Sequence, residues 1–224
     1  MLVTVSGPVG GGKSTLATQI LAAAQARGQR SELWKFRTLP CFRFLGRSRG
    51  NGGPSAGSAS TGQERWGDYE RRPLDARTTL VQLARILAFQ VYRYGCRHDG
   101  VIVCNRYFYD SFVHFDVTTR RARLLVEVLR RCVPEPDLAF RVVSSPETVA
   151  SRRPTYAARY VTATCQAYAR LQQWFPALIE ISGENAVEAG QMVEAALDRA
   201  LAPPGAAARR SGAGADASRH KEKA

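Results

Sequence analysis

The segment GPVGGGKS, residues 7–14, constrains the fold of this chain more than any other feature. It matches the pattern G-x-x-x-x-G-K-S, whose backbone N–H groups surround phosphate oxygens when the segment lies between a strand and a helix. An apolar run at residues 2–5 precedes it, and residues 14–26 carry apolar side chains at helical spacing. The context therefore predicts a strand, a glycine-rich loop and a helix that together bind phosphate.

Each residue type in this segment suits a triphosphate. Glycines let the backbone turn sharply and approach the phosphates, and the lysine places a positive charge near the β- and γ-phosphates. We therefore expect ATP and Mg²⁺ as cofactors, Lys13 as a catalytic group and the Ser14 hydroxyl as a metal ligand. The alternative is a glycine-rich turn whose lysine faces solvent. The residues expected to bind the nucleotide are Gly7, Pro8, Val9, Gly10, Gly11, Gly12, Lys13, Ser14 and Thr15.

The rest of the chain alternates between short β-rich apolar runs and longer runs with helical periodicity. Strands are predicted at residues 2–5, 31–36, 101–104, 138–143 and 177–181. Helices are predicted at residues 14–26, 74–94, 118–131, 146–152, 156–174 and 186–201, with Ser145 capping the fourth. We therefore expect an α/β protein with the P-loop NTPase fold: a five-stranded parallel sheet flanked by helices on both faces, with a lid segment.

One domain is expected over residues 1–202. Residues 47–63 consist mainly of Gly, Ser, Arg and Ala, which cannot build a core, so they predict a flexible loop. The lid is expected at about residues 151–159. Residues 203–224 have no periodicity and are predicted to form a disordered basic tail.

The net charge of +13 raises the question of nucleic acid as a partner. The arginines, however, form separate groups at residues 37–49, 71–77 and 152–159. Such groups suit a convergent polyphosphate pocket better than a continuous duplex-binding stripe. We therefore expect a small-molecule phosphate acceptor as the partner, and not nucleic acid.

The chain has no apolar run near the roughly eighteen residues that cross a bilayer, so we expect no membrane partner and a soluble, unprocessed protein. The five cysteines are odd in number and contain no Cys-x-x-Cys pair. This usage favours reduced thiols in the cytoplasm.

The segment VIVCNRYFYDS, residues 101–111, resembles the third strand and the Asp-Arg-Tyr region of thymidylate kinases. The sequences PDL at residues 136–138, SPE at 145–147 and SG at 182–183 are similar to that family in kind and order, and the resemblance spans residues 2–201. It implies a kinase that moves the γ-phosphoryl group of ATP to a nucleoside monophosphate, with dTMP as the first candidate, and a possible homodimer. No Asn-Lys-x-Asp sequence is present, which argues against a GTPase.

The resemblance also implies roles for individual arginines. Arg106 would contact phosphate at the reaction centre and on the acceptor, Arg37 would bind the acceptor monophosphate, and Arg85 would reach the acceptor base. The arginines expected in the lid, of which Arg153 is the catalytic candidate, are Arg152, Arg153 and Arg159. Solvated surface charge is the alternative for each.

Asn105 departs from the family, which usually has a carboxylate there. Asparagine cannot accept a proton, so this position favours an acceptor that is already an anion, such as a phosphate. Asp110 is the preferred catalytic carboxylate near it, with Asp116 as a second possibility and capping of a following helix as the alternative role. The neutral side chain also leaves open a kinase for a nucleoside, sugar or specialised metabolite, and an ATP-binding regulatory protein that has lost catalysis.

Aromatic residues cluster after the strand at residues 101–104. We expect them to fill the core rather than to stack on a base, because aromatic side chains beside a buried strand usually pack. His114 is expected to be structural, and Trp66 is a candidate for the acceptor site. The cluster comprises Tyr107, Phe108, Tyr109, Phe112 and Phe115.

Overall fold

The computed structural model describes residues 1–42, 69, 71–96 and 99–202. The strands in these residues are, in chain order, β1 (Leu2–Ser6), β2 (Ser31–Lys35), β3 (Arg72–Pro73), β4 (Val101–Asn105), β5 (Phe115–Asp116), β6 (Leu138–Val143) and β7 (Ile179–Ser182). Five of them form a parallel sheet in the order β2-β4-β1-β6-β7. The other two, β3 and β5, form a separate parallel pair. The α/β class with a five-stranded parallel sheet is confirmed.

The helices in the described residues are α1 (Lys13–Ala26), α2 (Ala76–Gly95), α3 (Tyr109–Phe112), α4 (Arg120–Cys132), α5 (Pro146–Arg152), α6 (Ala158–Ala169), α7 (Leu171–Trp174) and α8 (Ala186–Leu201). Several begin at a side chain that accepts a hydrogen bond from an amide of the first turn. The capping residues are Asp75 for α2, Thr119 for α4, Ser145 for α5 and Asn185 for α8. The cap expected at Ser145 is confirmed. Such caps stabilise a helix by about 1 kcal/mol each.

The sheet lies between two layers of helices. On one face, Val3 of β1 packs with Ile20 of α1 and Val193 of α8. On the other face, Leu2 packs in the cluster that holds Phe89 of α2, together with α4, α6 and α7. Because successive side chains of a strand point to opposite faces, strands covered on both sides need continuous apolar runs, and this explains why β1 and β4 contain them.

Several bounds and elements differ from the sequence-based expectation; α2 and α4, for example, begin two residues later than expected, at Ala76 and Arg120. The predicted helix at residues 156–174 is two helices, α6 and α7, because the chain tightens at Arg170, where the Gln173 amide donates to the Arg170 carbonyl at 3.1 Å. The last strand begins two residues later than expected, after a turn in which the Leu178 amide donates to the Phe175 carbonyl. The pair β3 and β5 and the short helix α3 were not expected, since their pairings join distant or very short segments.

Some expectations lie outside the described residues: the flexible loop at 47–63, Trp66 and the basic tail at 203–224. All five cysteines are free thiols. Within the described part of the chain, none of the helices combines the length and the apolar character needed to span a bilayer.

The parallel topology makes one edge of the sheet different from the other. All five strands of the sheet run in the same direction, so their carboxyl ends meet at this edge. β1 is central, and the chain passes from it first to the β2 side and later to the β6 side. Where connections diverge in this way, a crevice opens outside the carboxyl ends of the strands, and ligands commonly bind there.

Candidate functional site

The glycine loop, residues 7–12, follows β1 at this crevice and leads into α1. Gly12 occupies the capping position of α1 with φ +98°, and no side chain caps this helix. A Cβ at Gly7 would lie 2.9 Å from the carbonyl oxygen of Val142 in β6, so a larger residue would push the loop off the sheet. The first amides of α1 are therefore left available to a ligand, and its N-terminal dipole favours an anion.

Lys13 is buried in the wall of this crevice. Its Nζ donates a hydrogen bond to the carbonyl oxygen of Pro8 at 2.6 Å. Burial, opposed by the negative charge of Asp110 and assisted by the positive charges of Arg106 and Arg37, lowers the pKa of Lys13 to about 8. An anion that binds beside Lys13 offsets the repulsion from these arginines and stabilises the charged form of the lysine.

A cleft of about 640 Å³ opens over the glycine loop and Lys13. At one end it is bordered by the last residues of β2 and β4 and the residues that follow them; at the other end it is bordered by the end of α5, the end of β7 and the turn into α8. The first group comprises Lys35, Phe36, Arg37, Asn105 and Arg106. The second comprises Arg152, Arg153, Ser182, Gly183, Glu184 and Ala186. Ser14 and Thr15 line the cleft between them, so most of the expected nucleotide and acceptor residues share one cavity.

The turn after β7 packs directly on the glycine loop. A Cβ at Gly183 would lie 2.2 Å from the Gly11 carbonyl oxygen and 2.3 Å from the Ser144 Oγ, so only glycine fits this position. Arg152 joins the two segments, because its Nη1 donates to the Gly183 carbonyl at 2.9 Å and to the Gly10 carbonyl at 3.4 Å. Sequence reasoning did not place Gly183 in the site, although a Ser-Gly pair directly after a strand was a usable signal.

The segment expected to form the lid lies beside the same loop. A Cβ at Gly10 would lie 2.9 Å from the Cγ of Arg153, so the aliphatic part of that arginine covers Gly10. Arg152 and Arg153 are both exposed, with their charges at the cleft. This arrangement brings two cations over the loop that is expected to hold phosphates.

Arg106 follows β4 in an unusual backbone conformation. Its φ is +76°, and among the residues that the structure describes it is the one residue other than glycine with a positive φ. Its amide donates to the Val5 carbonyl at 2.9 Å, and its Nη1 lies 3.8 Å from Oδ1 of Asp110. A bulky residue in the left-handed region is strained by about 1–3 kcal/mol, and such strain concentrates where a side chain must be aimed at a ligand.

Asp110 lies behind Arg106 rather than in the cleft wall. Its carboxylate is buried, and its Oδ2 accepts hydrogen bonds from the Ser6 hydroxyl at 2.9 Å and from the Tyr107 amide at 3.0 Å. Its Oδ1 accepts a hydrogen bond from the Tyr168 hydroxyl at 2.5 Å. Asp110 is inside α3 and does not cap a following helix; Thr119 caps the next long one, α4.

Asn105 is the last residue of β4, and its Nδ2 donates to the Ser14 Oγ at 3.1 Å. The exposed hydroxyl of Ser14 is a hard oxygen ligand that lines the cleft, and the Asn105 side chain presents its amide nitrogen to that oxygen. Among the described residues, no group of three or more His, Cys, Asp or Glu side chains could enclose a metal ion. Mg²⁺ suits this situation because it commonly takes only one or two protein ligands and completes its shell with phosphates and water.

The three residues expected to bind the acceptor are not equivalent. Arg37 and Arg106 line the cleft, whereas Arg85 of α2 stacks on Phe42, with its guanidinium carbon 4.8 Å from the ring centre. Burial and then the charge of Arg106 lower the pKa of Arg37; burial and then the charge of Arg37 lower the pKa of Arg85. Arg85 therefore lies near Arg37 but outside the lining of the cleft.

The aromatic cluster fills the core, as expected. All five of its side chains are buried, and they pack edge to face against neighbours such as Phe36 and Phe89. His114 is largely buried beside Tyr69, with ring centres 5.6 Å apart. Burial lowers its pKa to about 4 against the opposing charge of Asp110, so it is neutral near pH 7, as a structural histidine would be.

Comparison of the chain with protein-family models gives no match, and a comparison with curated proteins gives none either. What the site can do is therefore argued from its own geometry.

Proposed function

We propose that this chain transfers the γ-phosphoryl group of ATP to a nucleoside monophosphate, with dTMP as the first acceptor to test, and that its fold is that of a P-loop NTPase. The observation that carries the proposal is the convergence of Lys13, Arg37 and Arg106 around one cleft floored by an uncapped helix N-terminus. Such a concentration of positive charge needs anions to balance it, and a triphosphate donor beside a phosphorylated acceptor supplies them.

The roles follow from position. The amides of the glycine loop and Lys13 bind the β- and γ-phosphates of the donor, while Arg152 and Arg153 approach from above. Arg37 and Arg106 hold the acceptor phosphate at the opposite end, so that its oxygen faces the γ-phosphorus. The Ser14 hydroxyl would hold Mg²⁺, which neutralises phosphate charge when bound.

A phosphate acceptor also fits the shortage of bases in the cleft. Among the described residues that line the cleft, Glu184 is the one with a carboxylate. Its Oε1 accepts a hydrogen bond from the Ser145 amide at 2.8 Å, at the end of the cleft away from Arg37. The carboxylate of Asp110 is occupied by three hydrogen-bond donors. A hydroxyl acceptor would gain from a base, whereas a phosphate oxygen is already anionic and needs positioning and charge neutralisation.

The segment at residues 151–159 is proposed to close over the donor. Arg152 and Arg153 already contact the glycine loop, and a small further movement would bring their charges onto a bound triphosphate. Closure would exclude water, which otherwise competes with the acceptor for the phosphoryl group.

The direct test is transfer from γ-labelled ATP, with Mg²⁺, to a panel of nucleoside monophosphates. Labelled diphosphate should form with at least one of them, and Lys13→Ala should weaken ATP binding roughly a hundredfold, since it removes a charge-assisted phosphate contact. Arg121→Ala is the matched control, because Arg121 is an exposed cation on α4. If none of the monophosphates is phosphorylated by protein that binds ATP, the proposal is wrong.

Asn105 gives a specific reason to keep two other functions in the same experiment. Consumption of a hydroxyl-bearing nucleoside, sugar or metabolite, with monophosphates untouched, would identify a kinase for that acceptor. Tight ATP binding with no transfer to either class would identify an ATP-binding regulatory protein, because the neutral Asn105 provides less charge around a metal at Ser14 than a carboxylate would.

A second copy of the chain is proposed to pack on the outer side of α2 and α4. The exposed apolar side chains there are Leu80, Val81, Leu87, Val91, Tyr94, Leu124 and Val128. Leu80, Leu87 and Val91 follow one another at helical spacing on α2, so they share a face. A stable interface buries about 800 Å² on each partner, and its centre is commonly a set of large apolar side chains of this kind.

The five free thiols fit the cytoplasmic location proposed for the protein.

A further inference from the structure

Asp110 is a buried acid whose carboxylate joins three separate parts of the chain. Its hydrogen-bond partners are Ser6, 104 positions away, Tyr107 in the neighbouring turn and Tyr168, 58 positions away. Arg106 adds a positive charge at 3.8 Å. A buried carboxylate is costly unless it is paired and hydrogen-bonded, and here both conditions are met.

Two of these contacts control the residues that shape the cleft. Ser6 ends β1 and directly precedes Gly7, so its bond to Asp110 fixes the start of the glycine loop. The Tyr107 amide belongs to the peptide that follows Arg106, so its bond to Asp110 helps to hold Arg106 at φ +76°. The same carboxylate therefore constrains the phosphate loop and the arginine that faces it.

The third contact extends to α6. Tyr168 is buried, and its hydroxyl donates to Asp110 while its carbonyl oxygen accepts from Nη1 of Arg141 at 3.2 Å. The helix that carries Tyr168 begins at Ala158, just after the segment that places Arg153 on the glycine loop. The loop, the Arg106 turn and the helix behind the lid segment thus meet at one charged group.

We propose that Asp110 is a positioning residue, whose buried carboxylate holds the glycine loop, the strained Arg106 turn and α6 in one fixed arrangement. It acts through Ser6, Tyr107 and Tyr168, and it has no need to touch substrate. The inference rests on the proposed function only in its second readout, nucleotide affinity; the first readout needs no ligand.

The first readout is amide hydrogen exchange of the full-length protein without nucleotide, with Asp110→Asn compared with the wild type. Exchange should rise about tenfold or more in residues 6–12, 106–109 and 158–169, because local opening becomes easier once a charged acceptor is lost. Exchange in α4 and α8 should stay as in the wild type. A uniform rise over all helices, or no rise at the three segments, would overturn the proposal.

The second readout is ATP affinity by calorimetry, normalised by thermal stability. Asp110→Asn should weaken binding about tenfold or more, whereas Leu129→Ala, a truncation in the buried face of α4, should destabilise the fold and leave the affinity of the folded protein unchanged. Asp99→Asn removes the same charge at an exposed site outside the cleft lining and should change neither readout. If the wild type binds no ATP, the proposed function fails, and the exchange experiment still decides on Asp110.

Two milder variants guard against a failure of Asp110→Asn to fold. Ser6→Ala and Tyr168→Phe each remove one donor and keep the carboxylate. Ser6→Ala should raise exchange mainly in residues 6–12, and Tyr168→Phe mainly in residues 158–169, and both should lower ATP affinity although Tyr168 lies outside the cleft. Wild-type exchange and affinity in both variants would contradict the proposed link.

Discussion

The side-chain amide of Asn105 donates a hydrogen bond to the hydroxyl of Ser14 at 3.1 Å, although the two residues are 91 positions apart. The contact joins the end of β4 to the first turn of α1 at the position where a metal ion is expected. It also defines what a carboxylate at position 105 would do, because a negative charge there would face the Ser14 hydroxyl.

Asn105→Asp is predicted to lower the Mg²⁺ concentration needed for half-maximal transfer by about three- to tenfold, since the added charge attracts the cation. Titration of the transfer rate with Mg²⁺ at saturating ATP measures this. Asp99→Asn is a control for charge changes away from Ser14. An unchanged Mg²⁺ requirement in Asn105→Asp would place the metal elsewhere, and activity seen only in Asn105→Asp would identify the natural protein as one that has lost catalysis.

Gly183→Ala is predicted to destabilise the protein by about 1–3 kcal/mol, because the added methyl group would overlap the Gly11 carbonyl and the Ser144 hydroxyl. Moving the glycine loop should also weaken ATP binding. Gly190→Ala is the matched control: Gly190 lies within α8, where an added Cβ would meet open space, so alanine should stabilise the helix by up to about 1 kcal/mol. Urea unfolding measures the stability of both variants, and ATP titration measures their affinity for the nucleotide. Equal losses of stability and affinity in Gly183→Ala and Gly190→Ala would refute the steric argument.

Local signals in the sequence located the glycine loop and most of the regular elements. The run Leu138–Val143 is a strand and Pro146–Arg152 is a helix, as predicted, because a short, mostly apolar run and a Ser-Pro helix start are signals that act over a few residues. Arg37 and Arg106, which the resemblance to thymidylate kinases singled out, both line the cleft at the carboxyl edge of the sheet. Residue pattern was sufficient for the glycine loop and the regular elements, whereas the choice of the two arginines came from the resemblance.

Contacts between distant residues could not be predicted in the same way. Nothing near Asp110 in the chain indicates Tyr168 as its partner, and nothing near Gly183 indicates the Gly11 carbonyl, since both pairings arise only when helices settle on the sheet. The position of Arg85 near Arg37 depends likewise on how α2 packs against Phe42. A carboxylate inside an aromatic run was the one local sign that Asp110 is buried.

His114 is predicted to make stability depend on pH. Burial lowers its pKa to about 4, below the ordinary value near 6.5, so between these values the unfolded chain binds a proton that the folded chain does not. The contribution of His114 to the free energy of unfolding is therefore fully present above pH 6.5. It falls by at most about 3 kcal/mol as the pH drops to 4. Urea unfolding at several pH values should give a flatter profile for His114→Gln than for the wild type, and identical slopes would contradict this.

Leu87→Glu is predicted to convert a homodimer into a monomer, because a charge would be buried in the apolar face of α2. Light scattering after size-exclusion chromatography measures the mass of each species. Val187→Glu, at an exposed position of α8 on the opposite helix layer, should leave the wild-type mass unchanged. A wild-type protein that stays monomeric at high concentration would rule out the proposed pairing.

Arg37→Ala is predicted to raise the KM for the acceptor about ten- to a hundredfold while ATP affinity changes less than about twofold. Arg37 lines the end of the cleft proposed for the acceptor, and the variant loses a charge-assisted contact to phosphate there. Arg85→Ala is the matched comparison. Its guanidinium lies over Phe42, so its effect on the acceptor KM should be smaller and should come with some loss of stability. Steady-state kinetics with varied acceptor and varied ATP separate the two constants. A larger rise of the acceptor KM in Arg85→Ala than in Arg37→Ala would reverse the assignment, since it would mean that the acceptor extends past Arg37 and contacts Arg85.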